Sequence, residues 1–288
     1  MFTSVVTLAY GAIRSLVWLL AALWFDDVVI VCIPQSRETV MTAESTPVVL
    51  VHGFLDDGSI WSDVESHLKA AGVDVHTPSY CCRPDTSSFS DFAGELIDGL
   101  PWDNADPIIL VGHSMGAPIA ELMARQLGAR VAGLVFVCAI PMQGVQLPPD
   151  VAATLRGCGD DEQAQRFVRT QMSLGLAPAT VDKLVTMGTR WPVDRVQATF
   201  DAWTAGDPAA ALELPPDVPT FIINSDNPFA DKEMLDVIDR RYPHATNAYL
   251  AGVGHWPHAE SPQAVGELVE AFISDVPSSS RTPEADRS

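Results

Sequence analysis

A serine flanked by glycines lies where an apolar run meets a helical pattern. The stretch GHSMG, Gly112–Gly116, follows PIILV and precedes APIAELMARQLGA. A sharp turn from strand to helix exposes a serine hydroxyl, and glycines are needed beside it because a Cβ would collide with neighbouring backbone. We therefore predict that Ser114 is the nucleophile of a G-x-S-x-G turn.

A serine hydroxyl is a weak nucleophile near neutral pH and needs a base within hydrogen-bond reach. The stretch GVGHWPHAESP places His255 directly after the last apolar strand pattern, at the sheet edge where Ser114 is expected. We predict that His255 is the base and that His258 is a surface or supporting histidine. Their His-x-x-His spacing lacks a third ligand, so we predict no metal.

A carboxylate is expected to orient the histidine and to stabilise its protonated form. Chain order places this acid between Ser114 and His255, at the end of a strand. The stretch VPTFIINSDNPFAD offers Asp226 directly after the strand and Asp231 further into the loop. We predict Asp226 as the third member of a catalytic triad.

Two backbone amides are required to stabilise the oxygen anion that forms when a carbonyl is attacked. The Met115 amide, at the start of a helix, is one candidate. The Phe54 amide, in the loop HGFLDDGSIW after the first core strand, is the other. We expect His52 to stabilise this turn, and Asp56 and Asp57 to be solvated or to cap the next helix.

The elements that position these residues alternate between apolar runs and amphipathic helices, which is typical of a doubly wound, mostly parallel α/β sheet. We predict a core from residues 47–140 and 217–275. Between residues 141 and 216 the strand patterns stop and several helical patterns follow, which indicates an inserted helical cap. Residues 276–288 are polar and rich in proline and serine, and we expect a disordered tail.

The composition argues against nucleic acid as a partner and against a zinc site. The chain has 288 residues, is 47% hydrophobic and carries a formal net charge of −20, which argues against nucleic acid binding because phosphates need clustered Lys and Arg. The five cysteines, an odd number without a CxxC motif, suit neither a disulfide framework nor a zinc site. We therefore expect reduced thiols and a cytoplasmic protein.

Residues 1–40 are strongly apolar but are interrupted by Arg14 and by a pair of aspartates. Three interpretations are open: a spurious or accessory extension before a true start at Met41, a membrane anchor within residues 1–33, and a cleaved signal peptide. Membrane association through this segment is therefore the alternative to a cytoplasmic location.

The motifs VLVHGF, VGHSMGA and GVGHWPHAESP together resemble the α/β-hydrolase superfamily over about residues 47–275. The resemblance implies an eight-stranded sheet with a helical cap, a serine hydrolase that acts through an acyl-enzyme, and no metal or organic cofactor. In one respect the chain departs from the family, because the usual Gly-x-x-Asp-Pro-like stretch is shortened to NSDNPF. One ungapped alignment places Asn227 at the acid position, so Asp226, Asn227 and Asp231 are all candidates.

We predict that the chain hydrolyses a small to medium, apolar carboxylic ester, lactone or thioester. The alternatives on the same fold are a C–C bond hydrolase of ring-cleavage products and a cofactor-independent oxygenase. From a different class, a receptor-like homologue would bind a ligand with little turnover. The sequence does not indicate an oligomeric state.

Overall fold

Six parallel strands form one sheet in the computed structural model, which describes residues 46–80, 88–102, 106–212 and 218–276. The strands are β1 (Val48–Val51), β2 (Val75–His76), β3 (Ile108–His113), β4 (Val131–Val137), β5 (Thr220–Ser225) and β6 (Thr246–Leu250). Their order across the sheet is β2-β1-β3-β4-β5-β6. The resemblance implies eight strands, and the described residues contain six.

Helices connect the strands and cover both faces of the sheet. They are α1 (Ser62–Ala70), α2 (Phe89–Asp98), α3 (Gly116–Leu127), α4 (Pro149–Gly157), α5 (Glu162–Gln171), α6 (Pro178–Gly188), α7 (Val193–Ala205), α8 (Lys232–Arg241), α9 (Pro257–Glu260) and α10 (Pro262–Asp275). Short 3₁₀ helices lie at Gly58–Trp61, Gly128–Arg130 and Pro208–Ala211. The alternation of strands and helices is the α/β class that the sequence predicts.

The central strands are buried along their whole length, which explains their continuous apolar runs. On one face of the sheet, helices α2, α3 and α8 contribute apolar side chains such as Phe92, Met123 and Ile238. On the other face, α1 and α10 contribute Val64 and Val269. The strands therefore sit between two apolar layers that fix their position.

The carboxyl ends of the parallel strands meet at one edge of the sheet. The chain passes from β1 outward to β2 and then returns to β3 on the other side of β1. Ligands of open α/β sheets bind at the crevice that such a reversal of direction creates. The loops after β1, β3, β5 and β6 carry Phe54, Ser114, Asp226 and His255 respectively to this edge.

Four α-helices and no strand occupy the described residues 138–212, between β4 and β5. We refer to Pro149–Ala205 as the cap segment. Its last helix packs Phe200 and Trp203 against Phe54, with ring centroids 6.3 and 5.9 Å apart. The cap segment therefore contacts the loop after β1, at the carboxyl edge of the sheet.

The two ends of the chain are largely outside this description. Residues 1–40, predicted as an apolar extension, lie outside the described residues, as does the predicted tail 276–288 apart from Val276. All described residues belong to one compact unit, Met41–Ser288. Among the helices of the described ranges, none is long and apolar enough to cross a bilayer.

Two of the five cysteines fall within the described residues, and both are buried free thiols. Burial raises the pKa of Cys138 to about 12 and that of Cys158 to about 11. Both thiols are therefore protonated at neutral pH. The remaining cysteines lie outside the described part of the chain.

Candidate active site

The turn that carries Ser114 is strained and tightly packed. Ser114 has φ +51°, in the left-handed region that non-glycine residues rarely adopt at a cost of about 1–3 kcal/mol. A Cβ on Gly112 would lie 2.3 Å from the Gly116 carbonyl oxygen, and one on Gly116 would lie 2.5 Å from that of Val51. The Ser114 amide donates to the Val137 carbonyl at 2.9 Å. Neighbouring backbone on both sides thus holds the serine in its unusual conformation.

Ser114 and His255 are hydrogen-bonded although 141 positions separate them in the sequence. His255 Nε2 lies 3.1 Å from Ser114 Oγ, and both side chains are buried. The backbone of His255 is held from two directions. Its amide donates to the Met172 carbonyl at 2.8 Å, and His113 Nε2 lies 2.7 Å from its carbonyl oxygen. The imidazole is therefore fixed at the serine hydroxyl.

Burial keeps the histidines at this edge neutral. It lowers the pKa of His255 well below 6.5, and the nearby His113 and Arg169 act in the same direction. Burial also lowers the pKa of His113 to about 4. A neutral imidazole has one nitrogen free to accept a proton, so His255 Nε2 is suited to receive the proton of Ser114.

Asp226 is not brought to His255. Its exposed carboxylate accepts hydrogen bonds from the Tyr249 hydroxyl and from the Gly252 amide, the latter at 2.6 Å. These two bonds, the one from Tyr249 first, lower the pKa of Asp226. The side chain therefore joins the end of β5 to the end of β6 on the solvent side. This arrangement differs from the predicted role of Asp226 as the acid that orients the imidazole.

The other candidates for the acid position also bond elsewhere. Asp231 caps α8, where its Oδ1 accepts from the Met234 amide at 2.8 Å. Asn227 is buried, and its Oδ1 accepts from the Phe229 amide at 3.0 Å. Within the described residues, His255 Nδ1 is buried and has no hydrogen-bond partner. In the part of the chain that the structure describes, the serine–histidine pair thus has no carboxylate hydrogen-bonded to it.

A cavity opens at the serine. Ser114, His255, Phe54 and Met115 all line it, so the structure brings together four of the five predicted site residues. The Met115 amide stands at the start of α3, where helical amides lack backbone acceptors. The remaining lining is largely apolar: Leu55, Ile140, Leu155, Val168, Met172, Trp203, Phe229 and Trp256, with His113 and Arg169. The cavity therefore suits an apolar substrate.

Sequence reasoning missed a buried ion pair beside this cavity. Asp57 caps the following 3₁₀ helix as expected, but Asp56 is buried and pairs with Arg169 of the cap segment at 2.8 Å. The pair joins positions 113 apart, which no local pattern reveals. The available signal was an arginine directly after Val168, on the apolar side of α5.

Two further residues have roles that the sequence did not indicate. His258, expected at the surface or in support, is fully buried and stacks on Trp61 with ring centroids 4.1 Å apart. Glu260 accepts from the Gly254 amide at 2.9 Å and from the Gly175 amide at 2.8 Å. It therefore ties the histidine loop to the cap segment. No cluster of three metal-ligating side chains occurs in the ranges that the structure describes.

Comparisons with known proteins agree with this architecture. The model of the alpha/beta hydrolase family matches residues 48–268. Esterase YbfF of Escherichia coli is 23% identical over 242 residues, which cover 80% of this chain and 94% of the relative. The sn-1-specific diacylglycerol lipase ABHD11 of Xenopus tropicalis is 25% identical over 241 residues, covering 76% of this chain and 75% of that protein.

The fold recurs among solved structures. A thermophilic esterase from Thermogutta terrifontis superposes with a TM-score of 0.65 at 21% identity, and the match covers 82% of this chain and 92% of the esterase. The region matched by the family contains both Ser114 and His255.

Proposed function

Because the chain belongs to the alpha/beta hydrolase family, we propose that it is a serine hydrolase that cleaves a carboxylic ester through an acyl-enzyme. One observation carries the proposal: the neutral His255 Nε2 lies 3.1 Å from the hydroxyl of Ser114, at the strained turn after β3. The relatives named above are esterases and a lipase, which agrees with ester cleavage.

The chemistry follows from the positions of these groups. Ser114 Oγ attacks the ester carbonyl carbon while its proton passes to His255 Nε2, and the carbonyl electron pair moves to the oxygen. The Phe54 and Met115 amides stabilise that oxygen anion. When the tetrahedral intermediate collapses, the carbon–alkoxy bond breaks and His255 gives its proton to the departing alcohol. Water then repeats the sequence on the acyl-enzyme and releases the acid.

The cavity favours a neutral, apolar ester, or a lactone or thioester of similar size. Its lining is predominantly aliphatic and aromatic. Arg169 is the cationic side chain among the described lining residues, and its charge is already compensated by Asp56 at 2.8 Å. We therefore propose a small to medium acyl chain without a carboxylate.

A receptor-like homologue with little turnover is the second candidate, because His255 Nδ1 has no carboxylate partner in the described residues. Loss of that partner costs a serine hydrolase up to about 10⁴-fold in kcat. The two candidates differ in whether Ser114 is chemically reactive.

A panel of p-nitrophenyl esters of increasing acyl length, together with a fluorophosphonate probe, tests the proposal. We expect turnover of short and medium esters and labelling of Ser114 in the wild type. Ser114→Ala should abolish both, whereas Ser66→Ala, at an exposed serine on α1, should retain both. Absence of both labelling and turnover in the wild type would favour the receptor-like candidate, and a reactive Ser114→Ala variant would refute the assignment of the nucleophile.

A further inference from the structure

A buried ion pair lies between the cap segment and the loop that carries the Phe54 amide. Arg169 Nη1 donates to Asp56 Oδ1 at 2.8 Å, and Arg169 Nη2 donates to the Leu55 carbonyl at 2.7 Å. Both charged side chains are about 1% exposed or less. The Arg169 guanidinium therefore donates hydrogen bonds to two consecutive residues of this loop, Leu55 and Asp56.

The same pair reaches the loop that carries the catalytic histidine. Trp256 Nε1 donates to Asp56 Oδ2 at 3.2 Å, and the Arg169 guanidinium carbon lies 4.9 Å from the centre of the Trp256 ring. Trp191, also in the cap segment, donates from Nε1 to the Asp56 carbonyl at 3.1 Å. The ion pair is thus the point where the cap segment, the loop after β1 and the loop after β6 meet.

Stability alone is a weak reason for this arrangement. Removing two charges from water costs several kcal/mol per ion, and a well-packed apolar pair in the same place is often as stable or more so. The loop that the pair holds is itself strained, since Leu55 has φ +64° without being glycine. A left-handed residue of this kind persists only where its surroundings enforce it.

The strained Leu55 lies between the Asp56–Arg169 pair and the proposed oxyanion donor. Leu55 directly follows Phe54, whose amide is proposed to stabilise the oxygen anion. The Phe54 amide belongs to the Gly53–Phe54 peptide unit, one unit before those that flank Leu55, so a rotation of the Leu55 backbone changes the course of the loop that contains this amide. An oxyanion donor must lie within about 2.7–3.1 Å of the developing charge. The hydrogen bonds from Arg169 fix the Leu55 carbonyl and the Asp56 carboxylate, which follow the strained Leu55 φ angle along the chain.

The cap segment also holds the other half of the site. The Met172 carbonyl, one turn beyond Arg169, accepts the His255 amide at 2.8 Å. Glu260 accepts the Leu174 and Gly175 amides at 3.0 and 2.8 Å. Within residues 169–175 of the cap segment, Arg169 therefore contacts the loop of the oxyanion donor, and Met172, Leu174 and Gly175 bond to His255 and Glu260.

We propose that Arg169 and Asp56 are positioning residues through which the docked cap segment holds the Phe54 amide in its catalytic orientation. The proposal rests on the proposed serine hydrolase function. A direct role for Arg169 as the receptor of a substrate carboxylate is disfavoured, because the Asp56 carboxylate already occupies its Nη1 face.

The test uses the full chain and four variants. Arg169→Met removes both hydrogen bonds to the loop but leaves the buried Asp56 carboxylate without its cation. The double variant Arg169→Met/Asp56→Asn is therefore measured beside it, because it leaves no uncompensated charge in the interior. Arg169→Lys keeps a cation beside Asp56 but cannot donate to the Asp56 carboxylate and the Leu55 carbonyl from two separate nitrogens. The matched control is Arg166→Met/Asp182→Asn, which removes an exposed ion pair of the same cap segment.

The readouts separate positioning from folding. For the double variant, we expect kcat on a p-nitrophenyl ester to fall about 100-fold, comparable to the loss of one oxyanion donor, with KM within about threefold of wild type. Affinity for a trifluoromethyl ketone, which forms a tetrahedral adduct, should fall by a similar factor, whereas affinity for the matching methyl ketone should not change. Arg169→Lys should recover part of the loss, and the control should behave as wild type.

A folded double variant with wild-type kcat and wild-type trifluoromethyl ketone affinity would overturn this inference alone. Equal loss of affinity for both ketones would also overturn it, because the pair would then shape the cavity and not the oxyanion donor. If the wild type neither labels with fluorophosphonate nor turns over esters, the proposed function itself fails and this inference fails with it.

Discussion

His255 Nε2 lies 3.1 Å from Ser114 Oγ, whereas the opposite nitrogen of the same ring, Nδ1, has no hydrogen-bond partner in the described residues. The serine and the histidine follow β3 and β6, which are separated in the sheet by β4 and β5. Two tightly held loops therefore bridge this distance. Because His255 is hydrogen-bonded to Ser114, we expect its pKa and its hydrogen-bond partners to determine the rate of the proposed ester hydrolysis.

The pH dependence of turnover should report the depressed pKa of His255. Burial lowers this pKa well below 6.5, and the neutral form is the base in the proposed mechanism. Activity is therefore present above the depressed pKa and is lost only as pH falls through it. We expect kcat/KM for an activated ester to stay level from pH 8 to below pH 6.5. An acid limb centred at or above pH 6.5 would contradict the prediction.

Neutralising Asp226 should have little effect on turnover. In a triad, replacing the acid by its amide lowers kcat by about 10⁴-fold. Because Asp226 instead bonds to Tyr249 and Gly252, we expect Asp226→Asn to change kcat by less than about tenfold. Its melting temperature should fall slightly, as should that of Tyr249→Phe, which removes the same hydrogen bond. A loss of kcat near that of a broken triad, with unchanged stability, would restore Asp226 as the acid.

Placing a carboxylate at position 227 should increase activity. Asn227 is buried, its Oδ1 accepts the Phe229 amide, and the Phe229 ring lies 5.6 Å from that of His255. For Asn227→Asp we predict that one carboxylate oxygen retains this bond and that the other accepts a hydrogen bond from His255 Nδ1. We expect kcat/KM to rise about tenfold or more, because a carboxylate stabilises the imidazolium that forms in the transition state.

The same substitution should move the acid limb of the pH profile upward, since a negative neighbour raises the pKa of an imidazole. The control is Asn247→Asp, which adds the same charge at an exposed position of β6 and should leave the profile unchanged. A folded Asn227→Asp variant with unaltered kcat/KM and an unshifted limb would show that position 227 does not face His255.

The glycines beside Ser114 should tolerate no side chain. A Cβ on Gly112 would meet backbone at 2.3 Å and one on Gly116 at 2.5 Å, and backbone cannot rotate away as a side chain can. We expect Gly116→Ala to destabilise the fold by about 3 kcal/mol or more, at the upper end of overpacking effects. Urea unfolding measures this directly.

The control for that substitution lies within α2. An added Cβ on Gly94 would meet nothing within 4 Å. Gly94→Ala should stabilise the protein by up to about 1 kcal/mol, because alanine favours a helix interior. If both alanine variants unfold at the same urea concentration, the close approach of the turn to β1 is not what requires glycine.

The sequence predicted those parts of the molecule in which local pattern and burial coincide. The run PIILV predicted β3, because strands covered on both faces are continuously apolar. Ser114 directly follows β3 and His255 lies in the loop after β6, so the order of the parallel strands brings both residues to one edge of the sheet. Asp226 also follows a strand, but the pattern does not show which way its side chain faces. The Asp56–Arg169 pair depends on how the cap segment packs, which no periodicity encodes.

The stability of the fold should decrease below pH 6.5 because of four buried histidines. Burial lowers the pKa of His52, His113, His255 and His258 in the folded protein. Unfolded chains take up protons near pH 6.5, so this stability is complete above that pH and is lost as pH falls, down to about 4 for His113. A histidine whose pKa in the folded protein lies well below its unfolded value contributes a slope of at most about 1.4 kcal/mol per pH unit between the two values.

His258 allows this slope to be tested away from the nucleophile. Neither of its nitrogens has a hydrogen-bond partner in the described residues, and its ring stacks on Trp61. We expect His258→Phe to reduce the slope of unfolding free energy between pH 6.5 and 5 by about one histidine's share, measured by urea unfolding at several pH values. His258→Gln, which keeps a polar group but does not titrate, should reduce it equally. A slope that persists in both variants would show that His258 takes up its proton in the folded state.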